Sequence, residues 1–287
     1  MLQKQVRDRI QALRNDKRSG AADLTLGVIE IFQDYLRATR VREKTEVLQD
    51  LRELCKAVMF AQVSMSSIKN TCIDVLSTLT KYRDGDNLQN VRHELERKLS
   101  KISSQIGKAP SRIASHLSKI IPDDARIITL SYSSTVTSVL RELKGRGKVF
   151  EVIVLESRPM LEGRRTATEL VRARIPTTLI ADAAFGEYSK VVDLAVVGAD
   201  TIFYDGSIVN KIGTLPMAIC CKEARKPFYV LAHSSKLNFE LPRSFVPQVE
   251  KPTELLKTSP RGLLVKNIYF ELTPPKYLTA IITEAGV

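Results

Sequence analysis

Four short segments in the second half of this 287-residue chain group residue types that can hold or move charge. Ser131-Tyr132-Ser133-Ser134-Thr135 sets small hydroxyls ahead of a run with helical apolar spacing. Free N–H groups at a helix N-terminus suit a phosphate, although simple serine capping is the plainer reading. Glu156-Ser157-Arg158-Pro159 offers a planar guanidinium that fits phosphate or carboxylate. Its alternative is an ion pair with Glu156 or Glu162, and Gly163-Arg164-Arg165 adds positive charge nearby. Gly198-Ala199-Asp200 places a carboxylate behind small residues, where it can meet ligand hydroxyls, transfer a proton, or cap a turn. Asn210-Lys211-Ile212-Gly213-Thr214 puts a cation and a Gly-Thr pair at an expected helix start, an anion-holding arrangement. It is no Walker motif, because Gly-x-x-x-x-Gly-Lys is absent.

These segments need a scaffold that brings them together. From 126 onward, short β-rich runs (126–130, 149–155, 177–180, 194–197, 228–232) alternate with helical patterns at 135–143, 166–173 and 215–224. That alternation predicts βαβ units and a parallel sheet. Unbroken apolar runs such as Val152-Ile153-Val154-Leu155 predict strands covered on both faces. Ligands of such sheets bind beyond the carboxyl ends of the strands. All four segments fall there, so Ser131, Ser133, Ser134, Arg158, Asp200, Asn210 and Lys211 are expected around one crevice suited to a phosphorylated small molecule.

The first part of the chain reads as helices. Leu24, Val28, Ile31 and Tyr35 share one face, as do Val47, Leu51, Leu54 and Val58, and then Ile68, Cys72, Val75 and Leu79. Arg83-Asp84-Gly85-Asp86 breaks the pattern, and Asp86 with Gln89 resembles a capping box. Leu88, Val91, Leu95, Leu99, Ile102 and Ile106 mark a long helix that Gly107 and Pro110 are expected to interrupt. Pro122-Asp123-Asp124 marks a domain boundary, giving a helical domain over 1–121 and an α/β domain over 122–287. The segment 238–252, rich in proline and charge, reads as a surface loop.

Composition narrows the function classes. No apolar run reaches membrane-spanning length, and charges occupy the N-terminus where a signal peptide needs apolar residues, so a cytoplasmic protein is expected. The four cysteines (Cys55, Cys72, Cys220, Cys221) have no C-x-x-C spacing and only three histidines accompany them, which argues against zinc. The net charge of +12 is spread out: residues 1–121 hold 22 basic against 14 acidic side chains, leaving 22 against 18. No run of five basic residues and no nucleic-acid-binding signature occurs. Such a surplus suits an acidic or phosphorylated partner better than specific nucleic acid; an RNA-binding scaffold would need tight, steeply salt-dependent binding.

The motifs also occur in a familiar order. Glu156-Ser157-Arg158-Pro159, Val197 to Ile202, Asp205-Gly206, Asn210 to Thr214 and Pro227-Phe228-Tyr229-Val230 together resemble the translation initiation factor 2B alpha/beta/delta family. Tyr269 to Pro275 and Thr283 to Val287 resemble its C-terminal segment, and Ser19-Gly20-Ala21-Ala22 and Met65-Ser66-Ser67 its helical domain. The resemblance implies a helical N-terminal domain followed by a Rossmann-like domain with a mostly parallel sheet, dimerised through the latter. It implies initiation factor 2, especially its alpha subunit, as a partner, a sugar phosphate or nucleotide as a ligand, and no cofactor. The same superfamily contains ribose-1,5-bisphosphate and methylthioribose-1-phosphate isomerases. These use a Cys after the first strand and an Asp matching Asp200 to move protons. Here Ser131 stands at the Cys position and Leu130 replaces a neighbouring His. A serine hydroxyl needs a strong adjacent base to act in the thiol's place. The isomerases' Arg-Gly-Ala phosphate loop is interrupted, since Ser19 separates Arg18 from Gly20. A noncatalytic regulatory subunit is therefore expected, with a ribose-phosphate isomerase as the alternative.

Overall fold

The computed structural model describes residues 4–16, 19–39, 43–81 and 87–287. Arg18 and the 83–86 break, with its Asp86 capping box, lie outside the described residues. Next to that break, Gln89 N donates to Asn87 Oδ1 at 2.8 Å.

The first compact unit, residues 1–108, is helical. It holds α1 (Lys4–Asn15), α2 (Ala21–Ala38), α3 (Lys44–Ala61), α4 (Ser66–Leu79) and most of α5 (Leu88–Leu117). The residues that share helical faces in the sequence are those that pack its core. Val28, Phe32, Leu51, Leu54, Ile68, Cys72, Leu95 and Leu99 are all buried there. Gly107 and Pro110 do not end α5, contrary to the sequence expectation. A proline inside a helix removes one N–H and costs stability. Here the buried stripe continues through Ala109, Ile113, Ala114 and Leu117, and that burial outweighs the lost bond. The division between units falls inside α5, at Lys108/Ala109.

The second unit, residues 109–287, is α/β. In chain order it contains β1 (Ala125–Leu130), α6 (Ser134–Gly145), β2 (Phe150–Leu155), α7 (Glu162–Arg172), β3 (Thr177–Ile180), α8 (Phe185–Tyr188) and β4 (Leu194–Val197). Then follow β5 (Thr201–Phe203), β6 (Ile208–Lys211), α9 (Thr214–Glu223), β7 (Phe228–Leu231), β8 (Leu237–Asn238), β9 (Phe270–Thr273) and β10 (Ala280–Ile282). Six strands form one sheet in the order β10-β7-β4-β1-β2-β3, and every pairing in it is parallel. Alternate residues feed two cores: Ile127, Val152, Val154 and Val196 on one face, Ile128, Ile153, Ala195 and Val197 on the other. That two-sided burial explains the unbroken apolar runs.

The strand order reverses between β1 and β4, which opens a crevice beyond their carboxyl ends. Beside it lies a second sheet, β8-β5-β6-β9, absent from the sequence reading. Its strands are two to four residues long and carry Asn210, Lys211 and Glu271, so they lack an apolar signature. Asn210 and Lys211 stand on β6, and the helix expected just after them, α9, starts at Thr214. The 238–252 segment is mostly irregular, as expected, and Val249 bridges Ile268.

Gly163 shows how closely α7 approaches the end of β2. A Cβ at this position would lie 1.7 Å from the Leu155 carbonyl oxygen, against backbone that cannot move freely. Gly163→Ala is therefore expected to destabilise the protein by about 3 kcal/mol, read as a lower urea midpoint at unchanged slope.

Candidate functional site

The β1–α6 loop starts with Ser131 in a left-handed conformation, φ 60°. Its backbone is held from two sides: Ser131 N donates to Ser157 Oγ at 2.6 Å, and its carbonyl accepts from Thr166 Oγ1 at 2.7 Å. The Ser131 hydroxyl has no hydrogen-bond partner among the described residues. Ser133 caps α6, its Oγ accepting from Val136 N at 3.3 Å. Ser134 Oγ is buried and unpartnered. Gly198 is required beside this cap, because a Cβ there would meet Ser133 Oγ at 2.6 Å. The β1 and β4 ends therefore touch at the point where strand order reverses.

Across the crevice, Lys211 is only 4% exposed and pairs with Glu162 Oε1 at 2.7 Å. Its ammonium also lies 4.6 Å from the Tyr269 ring centroid. Glu162 Oε2 is buried with no partner. Asn210 Nδ2 donates to Thr214 Oγ1 at 3.0 Å. The N-terminus of α9, read in the sequence as an anion site, is occupied from within: Glu271 Oε1 accepts from Gly213 N at 2.6 Å and Leu215 N at 3.0 Å.

Asp200 is half-buried just past β4, and its carboxylate has no hydrogen-bond donor among the described residues. Burial pushes its pKa up to about 6, against the pull of Lys236 and Lys211. Lys236, buried beyond β7, donates to the Ala199 carbonyl next door. The structure thus brings Asp200, Lys211, Lys236 and Glu162 together, a set with two positive and two negative charges. Sequence reading found Asp200 and Lys211. It missed Lys236 and Glu162, whose one signal was a place after a strand's carboxyl end.

Arg158 belongs to a different wall. It lines a cleft of about 340 Å³ that contains none of Ser131, Ser133, Asp200, Asn210 or Lys211. Neither acid proposed to pair with it does so: Glu156 pairs with Arg164 at 2.9 Å and Glu162 with Lys211. Arg165 stacks over the Tyr132 ring at 3.6 Å and donates to its hydroxyl. Gly20 is the N-cap of α2 in the helical unit. Among the described residues, no group of three or more His, Cys, Asp or Glu could hold a metal. None of their helices is long and apolar enough to cross a membrane.

A sequence profile described as the initiation factor 2 subunit family matches residues 17–287. The chain belongs to that family. A putative translation initiation factor eIF-2B subunit 2-like protein of Pyrococcus furiosus is 33% identical over the whole of this chain and 97% of its own length. A ribose 1,5-bisphosphate isomerase of the same organism is 29% identical, covering all of this chain and 91% of its own length. The crystal structure of the Pyrococcus horikoshii translation initiation factor eIF-2B superposes with a TM-score of 0.87 at 29% identity, over 99% of this chain and 97% of that one. The relatives thus include proteins named as initiation factors and a protein named as an isomerase, and the site chemistry has to discriminate between them.

The Asp200 titration gives a test of the crevice. Its folded-state pKa lies above its value of 3.8 as a free side chain. Between these two values the folded protein holds a proton that the unfolded chain has released, so stability falls as pH rises from about 4 through 6. Asp200→Asn removes that slope. The variant should gain on the wild type by on the order of 1–2 kcal/mol across this window, after discounting for solvent screening. Parallel urea titrations at pH 4.5 and 7 measure the difference.

Proposed function

We propose that this chain is a noncatalytic, regulatory initiation factor 2B-like subunit whose crevice binds a hydroxylated phosphate compound. One observation carries the reading: among the described residues no base is hydrogen-bonded to the Ser131 hydroxyl, which stands at the place of the isomerases' proton-carrying thiol. The Asp200 carboxylate, an acceptor with no donor among the described residues, suits a hydroxyl of a sugar or ribonucleotide. Initiation factor 2, through its alpha subunit, is the partner proposed from kinship with the eIF-2B proteins.

The second reading, a ribose-phosphate isomerase, is favoured by Asp200. A carboxyl with a pKa of about 6 can both give and take a proton near neutrality. Incubation with ribose-1,5-bisphosphate separates the two. Under the regulatory reading the sugar raises the melting temperature without turnover, and a pull-down retains the alpha subunit of initiation factor 2. Conversion to a ketose phosphate at many turnovers per minute would replace the first reading with the second.

A homo-oligomer is also proposed. Phe239, Val246, Val249 and Leu264 lie on one chain segment and are each more than two-thirds exposed. Exposed apolar side chains concentrated on one segment are candidates for a shared interaction site. Phe239→Asp combined with Leu264→Asp should reduce the mass measured by light scattering to that of one 32.1 kDa chain.

A further inference from the structure

The cleft that holds Arg158 differs in character from the crevice. Its wall is apolar through Leu130, Leu155, Pro159, Phe185, Leu255 and Ile268. Its two neutral or acidic polar residues are partly engaged within the protein. Asp182 accepts from Ser157 N and Arg158 N at 2.7 Å each, which fixes the chain at the cleft's edge. Asn267 Nδ2 is shared between the Lys251 carbonyl and Glu254. The cations are not committed. Arg158 and Lys266 both line the cleft, both are exposed, and neither side chain has a hydrogen bond or ion pair among the described residues.

An apolar chamber with a few convergent polar groups is the usual form of a small-ligand site, and this one lies near the small end of the size range. It offers little to read the several hydroxyls of a bare sugar beyond Asp182 and the Asn267 side-chain oxygen. It offers apolar surface for a hydrophobic body and two unspent positive charges for one anionic head. We infer that this cleft is a second binding site, separate from the crevice, for a small amphipathic anion: a phosphate monoester or carboxylate on an apolar body. Arg158 and Lys266 hold the head, and the Leu130–Leu155–Leu255 wall holds the body.

The chain contains no tryptophan, so a naphthalene probe excited on the long-wavelength side of the absorption of its eight tyrosines is read with little protein background. 1-Naphthyl phosphate titrated into the full chain should bind saturably. Inorganic phosphate and 1-naphthol should each bind at least tenfold more weakly, since each has half of the recognised chemistry. Arg158→Ala and Lys266→Ala should each weaken the probe about tenfold, and Leu255→Asp should abolish binding while circular dichroism stays unchanged. Asn210→Ala, in the crevice, should leave the probe's affinity unaltered while removing the melting shift given by ribose-1,5-bisphosphate. That pairing keeps the two sites' fates separate.

The inference fails if Arg158→Ala and Lys266→Ala bind the probe as the wild type does. It fails if Asn210→Ala abolishes probe binding, because the probe would then lie in the crevice. It fails if inorganic phosphate competes as well as the ester does. Probe binding confined to the Phe239→Asp, Leu264→Asp monomer would also overturn it, by showing that a second copy fills the cleft.

Discussion

The buried Lys211–Glu162 pair constrains everything at the carboxyl edge of the six-stranded sheet. An ammonium removed from water is costly unless a counter-charge stands within hydrogen-bond distance, and Glu162 supplies it at 2.7 Å. Glu162 is in place because α7 starts where it does, and α7 can start there because Gly163 allows its first turn to lie on the Leu155 carbonyl. Lys211 is in place because β6 pairs with β9 in a register that opposes Lys211 to Phe270. One ion pair therefore ties the main sheet, its crossover helix and the small second sheet to a common geometry. Loss of either partner would leave a buried charge uncompensated, which typically costs about 3–5 kcal/mol.

Charge balance then decides what the surrounding groups do. Lys236 is committed to the Ala199 carbonyl, and Glu271 to the N-terminus of α9. Asp200 is what remains, a carboxylate with positive neighbours and no donor among the described residues, and burial pushes its pKa up to about 6. The crevice is thus close to neutral as a group. Hydroxyl groups satisfy it at little electrostatic cost. Arg158 and Lys266, whose side chains have no ion pair among the described residues, line the cleft that Leu130 also lines.

The sequence made the architecture readable because burial on both faces of a parallel sheet forces continuous apolar runs, and helix packing forces apolar stripes. Every strand of the large sheet except β10 follows from those runs. β10 is three residues long, with Ala280 and Ile281 only partly buried, too short for a period to show. The second sheet was not legible, since its strands are two to four residues long and carry the polar Asn210, Lys211 and Glu271. The Asp205-Gly206 pair was its single local signal: Gly206 has φ 83° and Asp205 accepts from Ser207 N in the β5–β6 turn. Pro110 misled because helix-breaking propensity is local, whereas the burial of Ile113 and Leu117 is not. At the site, Asp200 and Lys211 were legible from position after strands. The partners that set their charge were not, because Glu162 and Lys236 reach the site from 49 and 25 residues away from Lys211 along the chain.

That difference bears on how any anion could enter the crevice. An anion approaching Asp200 meets a like charge, and its cheapest relief is a proton. Because Asp200 titrates near 6, protonating it at neutral pH costs little more than the energy of one pKa unit, about 1.4 kcal/mol. Displacing Lys211 from Glu162 costs far more, since it strands a carboxylate whose second oxygen already lacks a donor. Uptake of a proton by Asp200 is therefore the cheaper of these two ways for the crevice to meet added negative charge. Among the described residues no base is hydrogen-bonded to the Ser131 hydroxyl, so of the groups brought together here Asp200 is the one whose proton adjusts to its surroundings.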